Sequence, residues 1–210
     1  MRMTKYGHSC VRLERAGQVL VLDPGAYTEP AALTDADAVL ITHEHPDHFD
    51  EAALRRAAAA HPGLRVWTNA AVAARLDGLG AGRVRVVGEG DAFDAAGFPV
   101  QVHGQWHARV HPRWDRIPNT GYLVDSLFHP GDALTVPDAP VHTLLLPVHA
   151  PWSKLAEVVD YTTAVGAHRA YATHDAGLTP IGLGAIHHAL TDLTPATTYT
   201  HLTPGTTVDL

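Results

Sequence analysis

One cysteine, Cys10, is all that this 210-residue chain offers. That excludes an internal disulfide and any zinc site built from thiolates, and it fits a reducing compartment. Long apolar runs are missing too. No stretch approaches the roughly 20 residues that cross a bilayer. The opening MRMTKYGHSC has no apolar segment behind its early charges, so no signal peptide is expected. Positive charge is scarce: 15 Lys and Arg stand against 22 Asp and Glu, a formal −7. Nucleic-acid binders usually carry a basic stripe, and none stands out along this chain. These absences lead to the expectation of a soluble cytoplasmic protein whose partner is a small molecule, with no nucleic acid and no membrane. They leave its oligomeric state open.

What is present is a globular composition, 46% hydrophobic, of a length that suits one domain over residues 1–210. The excess is in histidine, with 16 residues. Histidine is the commonest protein metal ligand. His61, His168, His187 and His201 carry no motif and are expected to be structural.

Apolar patterning predicts short strands over residues 11–13 and 19–22, a hairpin about Ala16-Gly17 closed by Asp23-Pro24-Gly25. Further strands are expected over 37–42, 64–68, 84–87, 98–103, 121–125, 127–129, 141–148 and 170–173. Helices are expected over 51–60 with Asp50 as cap, then over 70–76, 153–165 and 181–190. Strands cluster early and alternate with helices, which gives an α/β or α+β class with much sheet.

The segment His43-Glu44-His45-Pro46-Asp47-His48 directly follows the 37–42 strand. It places four potential ligands in six residues, on a loop able to turn them toward one point. Three imidazoles and a carboxylate suit zinc, with manganese or iron as alternatives. Four groups from one loop are too many for a single tetrahedral ion that must also take substrate. Two neighbouring ions, each completed from elsewhere in the chain, explain the spacing better.

This THEHPDH segment resembles the H-x-H-x-D-H signature of the metallo-β-lactamase superfamily. Gly7-His8-Ser9, Asp23-Pro24-Gly25, HPGDAL at 129–134 and THD at 173–175 resemble its sugar-lactone-hydrolase-like branch. The resemblance implies an α+β fold, an αββα sandwich of two mixed sheets with helices on the outer faces. It assigns His43 and His45 to a first metal, Asp47 and His48 to a second, Asp132 as the bridging carboxylate and His174 as the last ligand of the second metal. The first metal's third histidine falls within VHGQWHARVHP. His107 is the choice, His103 the alternative, and His111 a substrate contact. For His8 and His129 the expectation is a hydrogen bond to a ligand carboxylate, with a purely structural role equally open. His149 either faces the site mouth or is incidental. Trp106, Trp114 and Trp152 either line a pocket or sit in the core.

The implied activity is hydrolysis of an ester, lactone, amide or phosphodiester by a hydroxide held between two divalent ions, zinc foremost. Asp47 is the catalytic residue, orienting that hydroxide. Two rivals share the fold. A di-iron redox protein would resemble H-x-E-x-D, with a carboxylate where this chain has His45. A non-catalytic metal-binding protein would need the same ligands and no substrate.

Overall fold

The computed structural model describes all residues, Met1–Leu210. Its strands obey a period of two, and that period builds the layers. In β3 (Gln18–Leu22), Leu20 and Leu22 face one core and Val19 and Val21 another. In β4 (Ala38–Ile41), Ala38 and Leu40 divide from Val39 and Ile41 in the same way. Every residue of β4 is buried, as its uninterrupted apolar run requires.

Two seven-stranded sheets result. The first runs β14 (Thr207–Asp209), β1 (Arg2–Lys5), β2 (Val11–Arg15), β3, β4, β5 (Arg65–Thr68), β6 (Val84–Val86). The second runs β13 (Thr198–Thr200), β12 (Arg169–Thr173), β11 (Thr143–Pro147), β10 (Leu127–His129), β9 (Gly121–Val124), β8 (Phe98–His103), β7 (Ala92–Ala95). Both are mixed. β3 to β6 are parallel while β1 to β3 are antiparallel. In the second sheet β10 to β13 are parallel and β7 to β10 antiparallel.

Leu20, Leu22 and Leu40 meet Val100, Tyr122 and Leu145 in a core between the sheets. The outer face of the first sheet is covered by α1 (Glu51–Ala60) and α2 (Ala70–Arg75), over Val21, Val39, Ile41 and Val66. The outer face of the second is covered by α3 (Leu155–Val165) and α4 (Pro180–Leu193), over Leu144, Leu146, Ala170 and Ala172. The order helix, sheet, sheet, helix is the expected αββα sandwich. No helix is long and apolar enough to cross a membrane.

The Asp50 carboxylate accepts from the Ala53 amide at 2.9 Å, capping α1 as expected. Helix α3 starts at Leu155 rather than Ser153, because the Ser153 hydroxyl is used in a turn with the Ala150 main chain (3.1 and 3.3 Å). Strands β1, β7, β13 and β14 escape the sequence reading. At three or four residues each, they are too short to establish an alternation.

Strand direction locates the site. β3, β4, β8, β10 and β12 all point their C-terminal ends at one edge of the sandwich. The loops that leave those ends carry Asp23, His43 to His48, His107, Asp132 and His174.

Candidate metal centre

The β4 loop is wedged against the β3 loop by main-chain hydrogen bonds, Ala26 N–H to the Pro46 carbonyl (2.7 Å) and Asp50 N–H to the Pro24 carbonyl (3.0 Å). Gly25 permits this approach, since a Cβ there would collide with the Asp47 carbonyl. From the other sheet, Gly131 takes a left-handed turn (φ +62°) and presents Asp132. The Asn119 side chain fastens that turn, donating to the Pro130 carbonyl (2.8 Å) and accepting from the Asp132 amide (3.0 Å).

Two groups of donor atoms converge. His43, His45, His107 and Asp132 form one, and His8, Asp47, His48 and His174 the other; within each, the atoms lie within 4.8 Å of one another. Asp132 faces both. Its Oδ2 is 3.3 Å from His107 Nε2 and 3.2 Å from His174 Nε2, and its Oδ1 is 3.1 Å from His48 Nε2. All seven residues expected as ligands therefore share one site. His103 does not join them; its Nδ1 lies 3.2 Å from Asp138, away from the cluster. His111 is exposed and accepts the Arg113 amide at 3.2 Å.

Ring protons decide which nitrogens can bind a cation. His174 Nδ1–H donates to the His149 carbonyl (2.6 Å) and His107 Nδ1–H to the Ala108 carbonyl (2.5 Å), so both Nε2 atoms turn to the centre. His48 Nδ1–H donates to Asp23 at 2.7 Å. The Thr42 hydroxyl also donates to Asp23 (2.7 Å), so its oxygen accepts His43 Nδ1–H at 3.0 Å. His43 Nε2 is thereby left with its lone pair facing His45 Nδ1 at 3.1 Å, where either a proton or a cation must lie. Among these atoms, His107 Nε2, His174 Nε2 and Asp132 Oδ1 are buried without a hydrogen-bond partner. Lone pairs aimed at one another, with their other nitrogens pinned by acceptors, fit divalent cations.

His8 has the opposite tautomer. Its Nδ1 accepts the Ala176 amide at 3.1 Å, which places its proton on Nε2, 3.3 Å from Asp47 Oδ2. His8 is thus a donor to a candidate ligand rather than a ligand. His129 also donates to a carboxylate, that of Asp23 (2.7 Å), and the fully buried Asp23 is shared with His48. The Asp23–His48–His129 group is consequently a hydrogen-bonded knot, its facing nitrogens already committed.

The electrostatics follow from burial and these pairs. Burial alone raises the Asp23 pKa, but the His129 and His48 rings hold it far below the usual carboxylate range. Burial likewise works against the charge of Asp47, yet the facing rings of His174 and His8 keep it ionised to strongly acidic pH. Burial lowers His174, and Asp132 and Asp47 more than reverse that, raising it to about 9. His48 is raised in the same way by Asp132 and Asp23 against its burial. Burial keeps His43, His45 and His8 neutral, their pKa values lowered. In the metal-free chain, protons on His48 and His174 supply the positive charge that the carboxylates demand.

Several working residues escape sequence reasoning. Asp23 entered as the end of a strand and within a resembling motif, with no role assigned; an Asp straight after an apolar strand was the available signal, and the structure holds it in a left-handed conformation (φ +47°). Thr42 and Asn119 gave none. Trp152 donates its indole N–H to Asp132 Oδ2 at 3.0 Å and borders the site. His201, read as structural, pairs with Asp175 at 2.8 Å, beside the buried Lys5–Asp175 ion pair (2.5 Å).

Comparison with known proteins places the chain in a family. A family model described as a beta-lactamase superfamily domain matches residues 2–174. Protein Rv0786c of Mycobacterium tuberculosis is 38% identical over 201 residues, 92% of this chain and 93% of that protein. The UPF0173 metal-dependent hydrolase Atu1317 of Agrobacterium fabrum is 27% identical over 191 residues, 82% and 79% of the two chains. Among solved structures, Igni18, a metallo hydrolase from Ignicoccus hospitalis, superposes with a TM-score of 0.76 at 19% identity, over 99% of this chain and 97% of that one.

Proposed function

The chain belongs to the metallo-β-lactamase superfamily, and on that premise we propose that it is a two-metal hydrolase of a small ester, lactone, amide or phosphodiester. The observation that carries the reading is Asp132, whose two oxygens face His107 on one side and His48 and His174 on the other. His43, His45 and His107 with Asp132 would hold one cation; Asp47, His48 and His174 with Asp132 would hold the second. Imidazole and carboxylate donors favour zinc over manganese or iron. The name of the Agrobacterium relative, a metal-dependent hydrolase, supports the same reaction class.

Bound cations would supply Lewis acidity, which activates water near neutral pH and polarises the scissile carbonyl or phosphoryl oxygen. The chain does the positioning. Asp47, kept anionic, has Oδ2 3.3 Å from His8 Nε2 and would accept a hydrogen bond from the attacking water. Trp152 steadies Asp132 from outside the ligand set. Beside the centre lies a cavity of about 420 Å³, bordered by His8, Tyr27, His149 and Pro151, of a size for a small substrate. The one cysteine, Cys10, is buried and free, which accords with a reducing, cytoplasmic setting.

The test combines metal analysis with kinetics. Saturated protein should hold about two metals per chain and hydrolyse at least one member of an ester, lactone and phosphodiester panel. Asp47→Asn, compared with metal in excess, should lose at least about a hundredfold in kcat, or roughly 2.7 kcal/mol of barrier. An Asp47→Asn protein as fast as wild type, or a wild type inert toward the whole panel with every metal, would sink the proposal.

A further inference from the structure

The β8–β9 connection carries more than His107. Its neck is closed by the His107 amide on the Ile117 carbonyl (3.0 Å) and the Asn119 amide on the Gln105 carbonyl (3.0 Å). The Ala108 amide fastens it to the Asp132 carbonyl (2.7 Å), and Arg116 Nε reaches the carbonyl of His107 itself (3.1 Å). The neck is thus fastened to the candidate centre, and the tip extends from it. There Trp106 and Trp114 are 47% and 64% exposed, an unusual cost for two large indoles on one short loop.

Three arginines share the tip. The Arg116 guanidinium lies over the Trp106 ring, 5.7 Å from its centroid. Arg109 makes only long contacts to carbonyls, 3.3 and 3.4 Å, and Arg113 uses its main chain alone. None of the three pairs with a carboxylate, although Asp115 sits among them. A chain of net charge −7 thus concentrates three guanidinium groups, none in a salt bridge, on the loop that carries His107. Trp106, Arg109, Pro112, Trp114, Asp115 and Arg116 border an open cavity of about 420 Å³, two guanidinium groups against one carboxylate. The cavity on the other side, by Tyr27 and His149, has no Lys or Arg.

Indole faces stack on flat rings, and guanidinium forks bind phosphate oxygens in pairs. From this juxtaposition we propose that the 105–117 loop is a substrate anchor for a phosphoester carried on a planar ring, an aryl or nucleoside phosphodiester. This deepens the hydrolase reading and rests on it for the chemistry, but not for the binding. Hydrolysis of such a diester forms one P–O bond from water and breaks another. The leaving alcohol or phenol takes up a proton, and no further reactant is needed. The arginines steer the anion in, the tryptophans hold the ring, and the cavity by Tyr27, which has no Lys or Arg, takes the remaining group.

The probe is adenosine 5′-monophosphate, with adenosine and inorganic phosphate as controls, titrated into metal-loaded protein and again after chelation. Indole fluorescence and calorimetry report binding. We expect the monophosphate to bind at least tenfold more tightly than either control in both states. Trp114→Ala and Arg109→Ala should each weaken it about tenfold or more while metal content stays at the wild-type level. In turnover, both variants should reduce kcat/KM for bis(p-nitrophenyl) phosphate at least tenfold more than for p-nitrophenyl acetate. Equal binding of phosphate or adenosine alone, or variants that bind the monophosphate like wild type, overturns the anchor even where the acetate ester is hydrolysed. Loop-dependent binding in a protein that hydrolyses nothing leaves the anchor standing and removes the hydrolase.

Discussion

Replacing Asp23 by Asn tests whether a residue that touches no cation governs the second metal. The substitution keeps size, and Asn tolerates the left-handed conformation at this position (φ +47°). What changes is Oδ2, which accepts from Thr42 Oγ1, His48 Nδ1 and His129 Nε2, each at 2.7 Å. An amide nitrogen in that place donates instead. Its two protons can be accepted only if His48 and His129 turn lone pairs toward it, which moves the His48 proton onto Nε2, the nitrogen facing Asp132. Fold and metal therefore part company. The Thr42 hydroxyl loses its acceptor, worth about 1–3 kcal/mol for a buried group, or roughly 2–12 °C in Tm for a chain of this length. The second metal loses a prepared ligand, and partners of this kind are typically worth about 10–100-fold in affinity. Calorimetric titration should show one near-normal site and one weakened by that factor, with the melt of the metal-free protein only modestly lowered. Asp23→Ala, which also places a Cβ residue of no polarity in the left-handed region, should melt lower still. The reasoning is refuted if Asp23→Asn binds both metals as tightly as wild type.

Two further expectations follow from the same geometry. His107→Ala should abolish binding at one site, whereas His103→Ala, whose ring faces Asp138 instead, should leave both metals bound; the reverse result in metal analysis would exchange their roles. The raised His174 sets a pH dependence. Folded and metal-free, it titrates at about 9 against 6.5 when unfolded, so its contribution to stability is complete below about 6.5 and lost as pH rises through 9. Metal must displace that proton, so affinity should climb from pH 7 to 9 with proton release visible in buffers of different ionisation enthalpy, and pH-independent binding without proton release would contradict it.

Most of the layers were legible in the sequence because they depend on local apolar patterning. Val19 to Leu22 announces a hairpin strand, Ala38 to Ile41 a strand buried on both faces, and Asp50 announces α1. The short strands β1 and β14 pair with each other from opposite ends of the chain, Met3 against Val208, and nothing local marks them. The same division runs through the site. His43, His45, Asp47 and His48 stand together in one loop and could be read at once. His107, Asp132 and His174 were reached by resemblance, each loop alone being ordinary.

What sequence could not convey is the protonation of those rings, because the groups that fix it are distant in the chain. Asp23 lies 25 residues from His48 and 106 from His129, and the Ala176 amide that sets His8 lies 168 away. A neutral imidazole offers one lone pair, and which nitrogen bears it depends on the acceptor behind the ring. The motif therefore supplies ligand types, while the sandwich supplies their readiness to bind. An identical H-x-H-x-D-H loop without Asp23, Thr42 and the carbonyls of Ala108 and His149 behind its rings would have to fix its own tautomers on binding, at a cost in affinity. This is why the carbonyl and carboxylate partners, more than the six-residue motif, distinguish a prepared metal centre from a histidine-rich loop.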